Sequence, residues 1–388
     1  MTGDIVNLTY SAKHKKIREL ARDFAEAEIP TDREDEIITE SLIGKLAALN
    51  FFGIQFPPEY GGAGLDTVSY AICIEELSRI SPSVGLMVSV HNSVAAYPMY
   101  AFGTDFQKRE FLVPLIAGRR IGSFCLTEPN AGSDAMNIET YANVDKAGNY
   151  IVNGQKAFVT NGAIADIFLL FLKTDPDESG KGMSVLIAES GIEGFSRGEV
   201  EDLCGMRGNP VCSLSFTDAV IPPHCLLGRK GEGFAIAMAA LDVGRIGIAA
   251  QAVGIAQAAL EASVKYARER IQFGKPLASQ QMIQSHIAEM GVDIEAARML
   301  VFRAASLRDS GMPFTRYSSM AKCFASRIAM EATTRAIQIH GAYGYSRSYG
   351  IERFFRDAKI TEIYEGANEI QKIIIARSLL ERVESVDL

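Results

Sequence analysis

The chain has 388 residues, 48% of them hydrophobic, and a formal net charge of −8. That length exceeds one ordinary core, so two or three packed units are expected, and the acidic balance argues against a polyanionic partner such as nucleic acid. Six cysteines without a C-x-x-C pair and five scattered histidines give no metal-ligand spacing, so reduced thiols and no metal site are expected.

The opening M-T-G-D-I-V-N has no basic stretch leading into an apolar core, so no secretory leader is expected and the cytoplasm is the expected location. From Thr9 to about Ala117 apolar residues recur at helical spacing, as in Ile17, Leu20 and Phe24, then Leu42, Leu46 and Leu49. Ile80 to Thr104 lacks any Asp, Glu, Lys or Arg, but Pro82, His91, Asn92 and Pro98 interrupt it, so it reads as buried core and not as a membrane span. An all-α domain over residues 1–120 follows.

Between Ile121 and Gly228 the pattern changes to short β-rich runs separated by Gly, Asn and Asp turns. These runs are Tyr150–Asn153, Ala157–Thr160, Ile167–Leu172 and Ser184–Ala188. A β-domain is expected over 121–230. Past Gly228 helices resume. Gly233 to Gln272 holds no proline and many alanines, and predicts one helix of roughly 60 Å. Further helices over Gln280–Ser310, Pro313–His340 and Asn368–Val383 supply the length for an antiparallel four-helix bundle over 231–388. The fold class expected is multidomain α+β, in the order α, β, α.

Near the C-terminus the chain reads I-Y-E-G-A-N-E-I-Q, Ile363 to Gln371, which places Glu365 between an aromatic residue and a glycine at an expected helix start. In an apolar setting desolvation raises a carboxyl's pKa and makes it a better proton acceptor, so Glu365 is the candidate catalytic base. Far upstream stands C-L-T-E-P-N-A-G-S-D, Cys125 to Asp134, a run of small and polar residues suited to a turn pressed against a planar cofactor. Further blocks are Q-I-H-G-A-Y-G-Y, Gln338 to Tyr345, and E-R-F-F-R-D-A-K, Glu352 to Lys359.

Together these blocks resemble the acyl-CoA dehydrogenase family, over essentially the whole chain. The resemblance implies a helical domain, a β-barrel-like domain and a four-helix bundle, with FAD between the last two. It implies FAD-dependent oxidation of an acyl-CoA thioester to the 2-enoyl-CoA: Glu365 takes the α-proton and flavin N5 the β-hydride, a transfer no side chain accepts. Leu126 and Thr127 would contact the flavin, Phe158 would cover its ring where many relatives have Trp, and Thr160 would bond near N5. Arg270, Phe273, Gln281, Gln338 and Gly341 fall on adenosine and pyrophosphate contacts, and Ala367 and Glu369 on further FAD contacts. Ser133 and Asp242 would meet the CoA moiety, and Arg245, close to the base, would with Tyr364 and Gly366 contact the substrate.

Gly244 fills the place where some relatives carry the catalytic glutamate, which leaves Glu365 as the base. Gln251 and Thr361 match the polar residues that close the acyl pocket in short-chain relatives, so a short, branched or cyclic acyl group is expected. Because Arg270 and the glutamines serve a neighbouring subunit's flavin in relatives, a homo-oligomer is implied, a homotetramer by family habit, with an electron-transferring flavoprotein as electron acceptor. Ala342, Ser348, Ala367 and Asn137 depart from the common pattern, and Ala367 removes an expected FAD bond. His91 and Cys125 read as structural. An enoyl-CoA reductase, an acyl-CoA oxidase or a silent CoA-binding flavoprotein are the alternatives on this fold. G-F-S-R-G, Gly194 to Gly198, spells a hydrolase elbow but lacks the strand and helix that such an elbow needs.

Overall fold

The computed structural model describes residues 10–30, 38–175 and 182–381; the opening segment and the expected helix end at Val383 lie outside them. Helix α1 (Ala12–Glu28) starts at a capping box between Ser11 and His14 and buries Ile17, Ala21, Phe24 and Ala25. Leu20 falls off that stripe and stays 39% exposed. Helices α2 (Glu40–Ala48) and α3 (Thr67–Ile80) begin at Thr39 and Asp66, whose side chains accept from the third backbone amide onward. Ser81 caps α4 (Pro82–Val90), which runs through a π-helical segment, His91–Ala96, into α5 (Tyr97–Phe102). The charge-free stretch is thus packed helix. Two short turns, α6 (Asp105–Gln107) and α7 (Val113–Ile116), end this region, and Gln107 Nε2 donates to the carbonyls of His224 and Leu226, both at 2.8 Å, fastening it to the β-domain.

The middle region is an eight-stranded sheet: β1 (Gly122–Cys125), β2 (Tyr141–Val144), β3 (Tyr150–Val159), β4 (Ile167–Lys173), β5 (Met183–Glu189), β6 (Phe195–Val200), β7 (Cys212–Ile221) and β8 (Leu226–Leu227). Its order is β6-β7-β3-β2-β4-β5-β8, with β1 parallel to β4, and β2 meets β4 only through Tyr141 and Lys173. Two four-stranded halves therefore share one narrow seam. The two runs expected at Tyr150–Asn153 and Ala157–Thr160 are one strand, kinked by register shifts at Val152/Gly154 and Lys156/Val159. Ser196 of G-F-S-R-G lies within β6, paired with Ser215, so no nucleophile elbow forms.

Helix α8 (Gly233–Glu269) runs 37 residues, about 56 Å, and stops three residues short of the expected end because Arg270 turns extended into the hairpin β9 (Ile271–Gln272) and β10 (Lys275–Pro276). It packs against α3, α4, α9 (Gln281–Asp309) and α10 (Thr315–His340). Gly254 permits the approach of α3: a Cβ there would meet the Glu75 carbonyl oxygen at 2.4 Å. By length and hydropathy α8 is the one helix among the described residues able to cross a membrane, but 72% of its most apolar window is buried inside the protein. Short α11 (Ala342–Tyr345), α12 (Ile351–Lys359) and α13 (Asn368–Leu380) complete the bundle, α12 and α13 lying against α10.

Candidate active site

Glu365 does not sit at a helix start. It occupies the loop between α12 and α13, three residues before Asn368, with φ +51°. A non-glycine residue held there stores on the order of 1–3 kcal/mol and persists only when its surroundings fix it. The clamp is visible: Lys322 Nζ, on α10, donates to the Gly366 carbonyl at 2.9 Å and to Asn368 Oδ1 at 3.1 Å, and Gln371 Nε2 donates to the same carbonyl at 2.8 Å. Gly244 on α8 leaves the space the carboxylate enters, since a Cβ there would stand 2.0 Å from Glu365 Oε2.

The residue as a whole is part-exposed, yet both carboxylate oxygens are buried and neither has a hydrogen-bond partner in the protein. Burial pushes the carboxyl up to about 8, against the opposing pull of Arg245 and Lys322. An unpartnered buried carboxylate is costly, and its usual explanation is a role the fold alone does not fill. Arg245, 3% exposed, donates to Asp242 Oδ1 at 2.5 Å, and Thr315 Oγ1 donates to the other Asp242 oxygen at 2.5 Å. Arg245 Nε is left unpartnered.

Beside the base lies an apolar cluster of Leu86, Val90, Val94, Ala240 and Ile248, with Phe124, Leu241 and Tyr364 packed against it. Its polar boundary is a relay: Tyr364 Oη donates to Gln251 Oε1, and Gln251 Nε2 donates to the Pro82 carbonyl at 2.8 Å. Thr361 Oγ1 donates to the Ala358 carbonyl at 2.6 Å. The polar groups of Gln251 and Thr361 are thus already engaged with the protein.

Phe124 joins this cluster from β1, which ends at Cys125, and Leu126 and Thr127 follow in the turn. Ala157 N donates to the Thr127 carbonyl at 2.9 Å, and buried Lys156 Nζ reaches the Leu126 carbonyl at 3.2 Å and Glu128 Oε1 at 2.6 Å. Ser123 Oγ donates to the Thr160 carbonyl at 2.7 Å. Phe158, between these anchors, has φ +52° and is 62% exposed, an outward aromatic face at a strained position. Ser133 lies exposed on the same turn. A pinned turn beside an exposed aromatic face fits a planar cofactor such as flavin.

Other expected residues lie elsewhere. Arg270, Phe273, Gln281, Gln338 and Gly341 gather at the far end of α8, where Arg270 lies over the Tyr343 ring at 5.4 Å and Phe273 is 94% exposed. Ala367 is the N-cap of α13 without a side-chain bond, and Glu369 is exposed in its first turn. His91 is accounted for internally, with Nε2 on the Leu115 carbonyl at 3.0 Å and Nδ1 facing the Gly122 amide at 3.4 Å. Sequence reasoning passed over Lys322, Lys156 and Gln371. The available signal for Lys322 was its position four residues from both Ser318 and Ser326 on a stripe of small residues, where a lysine is out of place.

Comparison with known proteins agrees with this architecture. Sequence models of the acyl-CoA dehydrogenase N-terminal, middle and C-terminal domains match residues 11–119, 123–219 and 231–380. The solved butyryl-CoA dehydrogenase from Megasphaera elsdenii is 43% identical and superposes with a TM-score of 0.95, over 96% of this chain and 100% of that one. A short-chain specific acyl-CoA dehydrogenase from Clostridium acetobutylicum is 44% identical over 95% of this chain and 98% of its own. An acryloyl-CoA reductase (NADH) from Anaerotignum propionicum is also 44% identical, over 97% of each. The chain belongs to the acyl-CoA dehydrogenase family.

Proposed function

We propose that this acyl-CoA dehydrogenase oxidises a short acyl-CoA thioester to its 2-enoyl form, with Glu365 removing the α-proton. The observation that carries the reading is the Glu365 carboxylate: buried, unpartnered at both oxygens, and next in the chain to Tyr364, which packs on the apolar cluster of Leu86, Val90, Val94, Ala240 and Ile248. Arg245 favours its ionised form across α8. FAD, when bound, supplies the two-electron acceptor for the β-hydride. The turn at Leu126 and Thr127, Phe158 and Thr160 would hold the ring, and Ser133 and Asp242 the CoA moiety. Gln251 and Tyr364, bonded to each other and to the Pro82 carbonyl, set a polar pair at the edge of that cluster, which supports a short acyl chain.

A homo-oligomer, as a tetramer, is part of this reading. Gly244 and Arg270 stand 26 residues apart on and just past one helix, about 39 Å, so one chain's adenosine contacts lie far from its own base. Phe273, Met282 and Val292, exposed by 94%, 71% and 70%, offer the apolar face through which a second copy would bring its contacts. The reduced enzyme then passes electrons to an electron-transferring flavoprotein. All six cysteines are free thiols, which suits a reducing cytoplasm. The 44% identical acryloyl-CoA reductase keeps a second reading in view, in which Glu365 returns a proton to an enoyl substrate.

Anaerobic titration of the holoenzyme with straight, branched and cyclic acyl-CoA esters tests the reaction: bleaching of the flavin by a short ester is expected. Reoxidation of the reduced enzyme by an enoyl ester under turnover with a reductant would instead favour the reverse direction. Glu365→Gln is expected to slow flavin reduction on the order of 10²–10⁴-fold at unchanged flavin content. Full turnover in that variant would remove Glu365 from its role.

A further inference from the structure

Lys322 is fully buried on α10, inside the bundle and directly beneath the loop that carries Glu365. A buried ammonium is costly, and a neutral donor would be cheaper if hydrogen bonding were all the site required. Its two acceptors do not call for a full charge. The Gly366 carbonyl already receives Gln371 Nε2, and Asn368 is held separately, its Nδ2 donating to Ser326 Oγ at 2.9 Å. Neither acceptor is a carboxylate, so no ion pair at hydrogen-bond distance explains the lysine.

We propose that Lys322 is a positioning residue for the reaction: it ties down the Gly366 side of the Glu365 loop and places a positive charge near the base that favours its ionised form. The inference rests on the reading of Glu365 as the base. Lys322 is bonded to the loop, at Gly366 and Asn368, and acts through Glu365. The groups that face the base bear this out by their signs. From α8 comes Arg245, itself paired with Asp242; from α3 the Tyr70 hydroxyl, neutral because burial pushes it far up; from the base's own segment Tyr364, also neutral for that reason, and Glu362 near Lys322. Cys323 on α10 is likewise held protonated by burial. Two cations, Arg245 and Lys322, therefore oppose the desolvation of one carboxylate. Burial lowers Lys322 to about 8, with Glu365 pulling the other way, so below that pH the ammonium form predominates.

The sign follows directly. The carboxyl of Glu365, raised to about 8, is the active form only when deprotonated, so kcat/KM for flavin reduction should climb with pH toward that value. Removing the Lys322 charge takes away one of the two groups that lower it, so the midpoint moves up. The experiment is stopped-flow reduction of the FAD holoenzyme by the best short acyl-CoA between pH 6 and pH 10, for wild type, Lys322→Met and Asn368→Asp. Lys322→Met is expected to shift the midpoint of kcat/KM upward by about one unit, with a roughly tenfold slower reaction at pH 7. Asn368→Asp keeps the shape of the loop but sets a carboxylate against the ammonium, and should move the midpoint the same way; it carries the test if Lys322→Met does not load FAD. A folded, FAD-loaded variant of either kind whose midpoint stays at the wild-type value overturns the proposal, whatever its melting temperature. Glu365→Gln run alongside separates the two claims. If it is inactive while the Lys322 and Asn368 profiles are unmoved, the lysine's role alone fails; if it retains turnover, the base itself was misassigned.

Discussion

A single methyl group at residue 244 would collide with the base. A Cβ on Gly244 stands 2.0 Å from Glu365 Oε2 and 2.7 Å from Cδ, so the carboxylate must leave the place where both its oxygens are free. Because reacting groups tolerate displacements of only about 1 Å before losing on the order of 10²-fold in rate, Gly244→Ala should reduce the single-turnover rate of flavin reduction by about that factor. FAD content should not change, since the flavin turn lies on the β-domain; an unaltered rate in a folded variant would mean that the loop yields and Glu365 is not held as described. The identity of the base was legible at this scale because Glu365 sits in an uncommon run of residues. Its left-handed backbone and its isolation from hydrogen bonds were not, since they depend on distant residues as well as near ones: Lys322, bonded to the Gly366 carbonyl, is 44 positions from it.

At the level of elements, β3 is the member that joins chemistry to fold. Lys156 turns into the sheet and binds Glu128 and the Leu126 carbonyl, Ala157 bonds Thr127, and Phe158 faces outward, three consecutive residues serving one turn. Lys156→Met would leave Glu128 buried without its cation, a loss of about 3–5 kcal/mol. The expected result is a purified protein with clearly lower flavin-to-protein ratio and at least tenfold weaker FAD affinity, measured by titrating apoprotein with FAD. Unchanged affinity would show that the turn keeps its shape without the lysine. Sequence reading divided β3 in two because Gly154 and the bulge beyond Lys156 break the alternation, and the two halves rejoin only through pairing with β7. The long helices of the C-terminal bundle were legible nearly to their ends, since the proline-free run of α8 and the lengths of α9 and α10 are local features, whereas the helices of the first region were expected only as a class.

For the whole molecule, the separation of the two residue clusters along α8 carries most weight. The family resemblance assigned Arg270, Phe273, Gln281 and Gln338 to FAD as it did Thr127 and Phe158, and implied that Arg270 and the glutamines serve a neighbouring subunit's flavin, a division that composition and periodicity do not carry. The exposed ring of Phe273 at φ +52° is the simplest probe. Phe273→Asp should shift the mass measured by light scattering toward smaller species and lower flavin content together, while a variant that loses flavin with its mass unchanged would dissociate the two properties. The same long helix has a consequence during synthesis. Its earlier wall, α3, is complete when Glu269 is made, but α10, the later wall, ends at His340, 71 residues downstream. At ~5–20 residues per second the ribosome needs on the order of 4–14 seconds to cover that distance. Throughout that interval an apolar rod with a membrane span's hydropathy has its α10-facing side bare, so the nascent chain is open to aggregation until α10 follows.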